Sequence, residues 1–362
     1  MKRFDCLCGS RVYFENVKCL ACGSELGFLP DLGRLSCITP KDSGQFLAHV
    51  MTNATYRKCQ NYVSEGVCNW MVRSEDPNQL CQACRLNHVI PDLSQPENRE
   101  KWSRVEAAKR HIVYTLNELR LPLVPRSVDP EGGLAFDIKA DTPEGRVLTG
   151  HADGLITLNL AEADPLLREK MRTQMKEQYR TLLGHFRHEV GHYYWDLLVR
   201  NDAALLSECR ELFGDERLDY LSALRAHYEN PPSANSWVGN FVSAYASAHP
   251  FEDWAETWAH HLHMVDTLET AHSFGFGGAG RFNASMIEQP FDQLFTTWIE
   301  LTIALNEMNR SMGLPDAYPF QIGAAAKTKL AFVSRVLSQC KSPHTQDILR
   351  DCGAERELRS TG

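Results

Sequence analysis

Long apolar runs are missing from this chain. Nothing in it approaches the roughly 20 consecutive apolar residues that cross a bilayer, which argues against a membrane-spanning protein. An apolar leader is missing too. MKRFDCLCGS has a basic start but reaches cysteines and a glycine where a secretory signal carries its hydrophobic stretch. Excess positive charge is the third absence. The 362 residues carry a net charge of −8, so the whole chain is not expected to adhere to nucleic acid or anionic membranes. Residues 1–100 balance 11 Lys and Arg against 11 Asp and Glu, without the basic stripe that phosphate binding requires. The composition is otherwise globular, 43% hydrophobic and 23% charged. Such a length accommodates two or three domains and at least one sizeable core. A soluble cytoplasmic protein is the expectation.

Cysteine, by contrast, is abundant and unevenly placed. Nine of the 12 cysteines precede residue 85, and eight of those nine fall into two compact groups. A disulfide scaffold normally belongs to a secreted and much shorter chain, whereas thiols kept reduced in a cytosol are free to bind zinc. The first group is Cys6-Leu7-Cys8 with Cys19-Leu20-Ala21-Cys22. Two close pairs about ten residues apart are what a tetrahedral four-thiolate site needs. Gly9 and Gly23 supply the backbone freedom of the turns, and Val12, Phe14 and Val17 suit a short hairpin between them. The second group is Cys59, Cys68, Cys81 and Cys84, ending in another Cys-x-x-Cys knuckle. Nothing around it has the strand-to-helix context of a redox-active pair. Each set is complete with four thiolates, so both are expected to hold structural zinc and to draw folding energy from it. Cys37, Cys209, Cys340 and Cys352 show no ligand spacing and read as ordinary thiols.

Beyond the cysteines, Ser94 and Glu97 have capping-box spacing around Pro96. Trp102, Val105, Ile112, Leu116 and Leu119 then recur at helical spacing until Pro122 and Pro125. Strand-like runs at 134–138, 146–149 and 154–158 follow, separated by turn residues, as in a small antiparallel sheet. From Asp164-Pro165 onward the pattern is helical. The predicted class is α+β, a mostly helical domain with a small antiparallel sheet behind small zinc modules. The predicted boundaries are 1–36 for a zinc ribbon, 37–93 for a second four-cysteine module, 94–340 for the main domain and 341–362 for a tail. Gly275, Gly277 and Gly280 match G-x-G-x-x-G, but a charged helical segment precedes them in place of a strand. A mobile loop, rather than a dinucleotide site, is the expectation there.

The chemistry concentrates at His188-Glu189-Val190-Gly191-His192. Histidines four apart project from the same face of a helix, so His188 and His192 can hold one metal ion. Glu189 can then face the open position and take the proton of an attacking water. Leu182, Leu183, Phe186, Val190, Tyr194 and Leu197 form the packing stripe of that helix. A third donor is expected from Ser243-Ala-Tyr245-Ala-Ser-Ala-His249-Pro250-Phe-Glu252-Asp-Trp-Ala-Glu256, continuing to His260. Pro250 is a helix start signal, and Glu252, Glu256 and His260 then lie on one face. In a two-His, one-Glu centre the carboxylate comes from a second helix, and a residue one turn later orients a ligating histidine. Glu252 is the expected third ligand and Glu256 its support, with Glu256, His249 and His260 as rival ligands. Trp254, Ala255, Trp258 and Ala259 argue against a merely solvated stripe. Asp215-Glu216-Arg217 suits either a role in fixing the site or a salt-bridged helix start.

Taken together, several markers make the chain resemble a known family over most of its length. They are the Cys6/Cys8/Cys19/Cys22 ribbon, Cys84-Arg-Leu-Asn87, Gly184-His-Phe-Arg-His-Glu-Val-Gly-His192, Phe213-Gly-Asp-Glu-Arg217 and Glu252-Asp-Trp-Ala-Glu256. The family is that of zinc-binding metallopeptidases joining an N-terminal zinc ribbon to a gluzincin-like domain. The resemblance implies a zincin-like fold and zinc chemistry, and no particular substrate. Glu-x-x-Ala-Glu is also similar to the third-ligand helix of lethal-factor-type gluzincins. There a tyrosine seven residues before the ligand points at the reacting water and the oxyanion. Tyr245 stands seven before Glu252, which implies that role for it. A core tyrosine is the alternative, and His249 a substitute donor. By the same resemblance, an exposed strand edge beside the site pairs with an extended substrate, and 154–159 is the expected segment.

The functional expectation is a zinc peptidase acting on a peptide or protein substrate, with one catalytic and two structural zinc ions. Glu189 is the expected general base. The alternative is a catalytically silent scaffold whose zinc modules bind protein or nucleic acid. The charge balance favours a protein partner, and the presence of every catalytic part favours the enzyme.

Overall fold

The computed structural model describes residues 2–50, 54–143, 145–175, 177–233, 236–276 and 289–340. The class is α+β, and the chain divides into two compact units, Met1–Leu167 with Glu269–Phe276, and Arg168–Leu268 with Gly277–Gly362. In the first unit, β1 (Phe4–Asp5) and β2 (Arg11–Val12) form an antiparallel hairpin whose turn carries Cys6 and Cys8. Gly9 and Gly23 adopt φ of +80° and +78°, left-handed positions that lack a steric penalty only for glycine. Next, β3 (Leu26–Leu29), β4 (Arg34–Pro40), β5 (Phe46–Ala48), β6 (Thr55–Lys58) and β7 (Met71–Arg73) make a five-stranded antiparallel sheet in chain order. The sheet curls towards closure. Phe28 is bridged to Trp70, and its N–H donates to the Asn69 carbonyl at 2.9 Å. Leu29, Ile38, Ala48, Tyr56 and Met71 fill the interior. Between β6 and β7 lies α1 (Gln60–Val63), a single turn that follows Cys59 directly. The predicted division after residue 36 falls inside β4.

A second sheet follows, made of β8 (Asn87–Val89), β9 (Ala135–Lys139), β10 (Gly150–Ala152) and β11 (Leu155–Asn159) in the order β10-β11-β9-β8. It is mixed, where the sequence reading predicts an antiparallel one. β9 runs parallel to both β8 and β11, and only the β10–β11 pair is antiparallel. The predicted strand at 146–149 does not form. Asp141 and Asn159 side chains take up the Val147 N–H and carbonyl, so these groups have no need of a ladder. Nor is 154–159 an exposed edge. β11 has a neighbour on each side, and β10 and β8 are the edges. Before this sheet, α2 (Pro96–Glu118) buries Trp102, Val105, Ile112 and Leu116, and Leu119 is buried just past its end. The capping box is replaced, because the Ser94 hydroxyl turns to Asp92 at 2.8 Å.

The remaining helices are α3 (Pro165–Gln174), α4 (Leu182–Leu198), α5 (Ala203–Phe213), α6 (Tyr220–Glu229), α7 (Pro250–Ser273), α8 (Phe291–Ser311) and α9 (Ala324–Gln339). Side-chain oxygen caps start four of them. Asp164 accepts from Leu166 N and Leu167 N, Thr181 from Gly184 N, Asp202 from Ala204 N and Leu205 N, and Asp219 from Ser222 N. A crossing of α4 and α7 forms the heart of the second unit. A Cβ on Gly191 would lie 3.1 Å from the Cα of Ala255 and from a ring carbon of Trp258, so the glycine permits the close approach. The Trp254 indole donates to the Gly191 carbonyl at 2.8 Å, and Tyr194 stacks on Trp258. Among the described residues no helix is long and apolar enough to cross a membrane. Gly277, Gly280, the tail at 341–362 and Cys352 lie outside the described residues.

Candidate metal centres and active site

On α4, the Nε2 atoms of His188 and His192 stand 3.2 Å apart, one turn from each other. Glu252, in the first turn of α7, faces them. Its Oε2 is 3.0 Å from His188 Nε2 and its Oε1 is 3.7 Å from His192 Nε2. Donors about 2.0–2.1 Å from a tetrahedral zinc ion stand roughly 3.3 Å from one another, so this set fits such an ion. The proton inventory agrees. His188 Nδ1 lies 2.7 Å from Glu256 Oε1, a bond that needs the proton on Nδ1 and leaves a lone pair on Nε2. That lone pair faces a carboxylate oxygen of Glu252 that is buried without a hydrogen-bond partner. Burial opposes charge on His188, while Glu252 and Glu256 call for it. A cation at this point resolves the conflict.

Around these three groups the supporting contacts are all made within the second unit. The other oxygen of Glu256 accepts from the Ser243 hydroxyl at 2.6 Å, and Ser243 Oγ in turn accepts from Ala246 N. Tyr220 donates to Glu252 Oε1 at 2.6 Å. Glu189 is buried, with Oε2 lacking a partner, and burial pushes its carboxyl up against the opposing pull of the two histidines. Tyr245 opens a short 3-10 turn, 245–248, with its ring centroid 5.9 Å from that of His188. Burial and the Glu252 charge push its hydroxyl well up, so it stays a proton donor.

The cysteines assemble as spaced in the sequence. Sulfurs about 2.3 Å from a tetrahedral zinc stand roughly 3.8 Å apart. The observed pairs are Cys6–Cys22 at 3.5 Å, Cys8–Cys19 at 3.8 Å and Cys68–Cys81 at 3.7 Å, with Cys59 and Cys84 completing the second group. Among the described residues these two groups and His188, His192 and Glu252 are the sets able to hold a metal ion.

Residues 98–336 match the family described as "Putative zinc-binding metallo-peptidase", and residues 3–95 match a zinc-ribbon domain. The chain belongs to this metallopeptidase family. It is 42% identical over 342 residues to uncharacterized proteins of Mycobacterium bovis and of two Mycobacterium tuberculosis strains, covering 94% of this chain and 96% of theirs. No solved structure matches it.

Within this chain, the rival ligands are otherwise engaged. Glu256 meets the far nitrogen of His188. His249 accepts from Phe251 N on Nδ1 and donates from Nε2 to the Leu218 carbonyl, both at 3.1 Å, so it is free neither to ligate nor to replace Tyr245. His260 pairs through Nδ1 with the Tyr318 hydroxyl. Asp215 and Glu216 form local ion pairs with Arg217 and Arg210. Three residues escape a reading from spacing. Tyr220 and Ser243 reach the centre from outside both motif helices. Cys37, on β4, brings its sulfur to 3.3 Å from that of Cys6, although no ligand spacing marks it.

Proposed function

We propose that this metallopeptidase hydrolyses peptide bonds at a centre formed by His188, His192 and Glu252. The reading is carried by one observation, the convergence of His188 Nε2, His192 Nε2 and the Glu252 carboxylate to within 3.0–3.7 Å of one another, beside Glu189, whose buried Oε2 lacks a hydrogen-bond partner. Zinc, when bound there, supplies a Lewis acid that polarises a carbonyl and brings the pKa of water to roughly 7. Glu189 takes a proton from the attacking water and returns it to the leaving amine. The Tyr245 hydroxyl donates to the oxyanion. Glu256 holds His188 by its Nδ1 proton, with Ser243 behind it. Two structural zinc ions, on Cys6, Cys8, Cys19 and Cys22 and on Cys59, Cys68, Cys81 and Cys84, complete a complement of about three per chain. The zinc modules serve protein recognition rather than nucleic acid, in keeping with their balanced charge, and the setting is cytoplasmic.

Elemental mass spectrometry and a peptide-library cleavage assay test this together. Wild-type protein is expected to hold about three zinc ions and Glu252→Ala about two. Glu189→Gln should keep its zinc and lose hydrolysis. Full activity in Glu189→Gln would remove that residue from the mechanism, and a wild-type zinc content of about two would remove the centre itself.

A further inference from the structure

The Glu252 carboxylate presents an imbalance that the proposed mechanism does not address. It is almost wholly buried, at 1% exposure, and a carboxylate so placed needs hydrogen-bond donors or a cation on each oxygen. The two histidines cannot serve as donors when their Nε2 lone pairs are turned to a metal ion. Among the described residues, the remaining donor is the Tyr220 hydroxyl, 2.6 Å from Oε1.

Tyr220 is delivered there by an arrangement of its own. It is the first residue of α6, a helix in which no residue is buried. Apolar packing therefore does not fix its start. Polar links do. Asp219 caps the helix, and the Leu218 carbonyl accepts from Nε2 of His249. His249 immediately precedes α7, three residues before Glu252. The ring of Tyr220 also meets the His249 ring edge-on, with centroids 5.2 Å apart. One short segment thus anchors both the carboxylate and the hydroxyl that binds it.

We infer that Tyr220 is a positioning residue of the catalytic centre, holding Oε1 of Glu252 so that Oε2 alone is turned to His188 as the metal donor. The inference rests on the His188, His192, Glu252 reading and adds to it a residue outside both motif helices. It also divides the labour of two tyrosines. Tyr220 holds the ligand, and Tyr245, hydrogen-bonded to Tyr220 and set beside His188, faces the substrate.

The test is zinc affinity, measured by chelator competition on full-length protein already shown to retain its two thiolate-bound ions. Tyr220→Phe keeps the ring and deletes the hydroxyl. Its affinity at the third site should fall about 10- to 100-fold, the usual cost of losing a group that orients a ligand. Tyr245→Phe, which removes a partner of Tyr220 but no contact to Glu252, should lower that affinity less than Tyr220→Phe does, while lowering turnover. Leu221→Ala, an exposed neighbour on α6, controls for loosening of the helix and should leave the affinity unchanged. Wild-type affinity in Tyr220→Phe overturns the inference. So does an equal loss in Leu221→Ala, which would place the effect in the helix rather than the hydroxyl. Both results leave the zinc centre standing, whereas a wild-type protein with two zinc ions removes the centre and this inference with it.

Discussion

Glu256 Oε1 stands 2.7 Å from Nδ1 of His188, and this pair decides which nitrogen of the ring faces Glu252. Removing the carboxylate frees the ring to turn or to change tautomer. Glu256→Ala should weaken zinc binding at this centre about 10- to 100-fold, read by chelator competition. Glu256→Gln keeps an amide oxygen that can still accept from Nδ1, so it should lose less. Equal losses in the two variants would mean that charge, and not orientation, is the contribution of Glu256.

The crossing at Gly191 supports a second prediction. Any side chain there must push against the Ala255 Cα and the Trp258 side chain, all three contacts lying within 3.2 Å of the added Cβ. Backbone cannot yield as a flexible side chain would. Gly191→Val should therefore destabilise the protein by about 1–3 kcal/mol. Because Glu252 sits one turn before the contact on α7, it should weaken zinc binding as well. Thermal unfolding of the variant would check the first effect and its zinc content the second. A melting temperature equal to wild type would show that the helices are not in register as described.

Much of this site was legible because it is local. Helical geometry alone puts His188 beside His192 and Glu252 beside Glu256, and the start of α7 was marked by Pro250. The close pairs Cys6–Cys8, Cys19–Cys22 and Cys81–Cys84 were legible for the same reason, since their spacing is that of a turn. What stayed hidden depends on how distant segments meet. Tyr220 lies 32 residues from Glu252, and Cys37 lies 31 from Cys6. No period in the sequence connects either pair. The parallel pairing of β9 with β11 was missed in the same way, because apolar alternation sets a strand's face and is silent about its neighbour's direction. The 146–149 run shows the limit of propensity, as side chains of Asp141 and Asn159 took the hydrogen bonds a ladder would have used.

The two thiolate groups should differ in lability. Cys8 and Cys22 are exposed, whereas Cys59, Cys68, Cys81 and Cys84 are all buried. Access governs attack by thiol reagents as much as thiolate character does. A graded alkylation with zinc release followed by a chromogenic chelator should show two steps, the first reporting the Cys6, Cys8, Cys19, Cys22 group. Peptide mapping at the midpoint should find Cys8 and Cys22 modified and the second group intact. Simultaneous modification would contradict the difference in burial.

Acid should act on the helical unit through His260. Burial presses this imidazole down to about 4, with the Arg187 charge helping and Glu256 opposing. Its Nδ1 is held by the Tyr318 hydroxyl. The unfolded chain binds the proton at the ordinary value of about 6.5. Between those values the unfolded state holds more protons than the native one, so stability falls as pH falls. The contribution is fully present above pH about 6.5 and is lost progressively towards pH about 4, on the order of 3 kcal/mol in all. Urea unfolding across this range should show that slope in the wild type and a flatter one in His260→Gln. Parallel slopes would mean that His260 is solvated in the native state.

The curled sheet of β3 to β7 has a consequence for how the N-terminal region acquires its metal. The Phe28–Trp70 bridge joins the strand that follows Cys22 to the strand that follows Cys68. Asn69 also donates its side-chain amide to the Phe14 carbonyl, inside the first cysteine loop. Ordering either loop around an ion therefore pre-orders the backbone from which the other hangs. If both groups take up zinc as proposed, uptake at the two sites is expected to be linked, each ion raising the affinity for the next. Half-filled chains should then be fewer under scarcity than independent filling would produce.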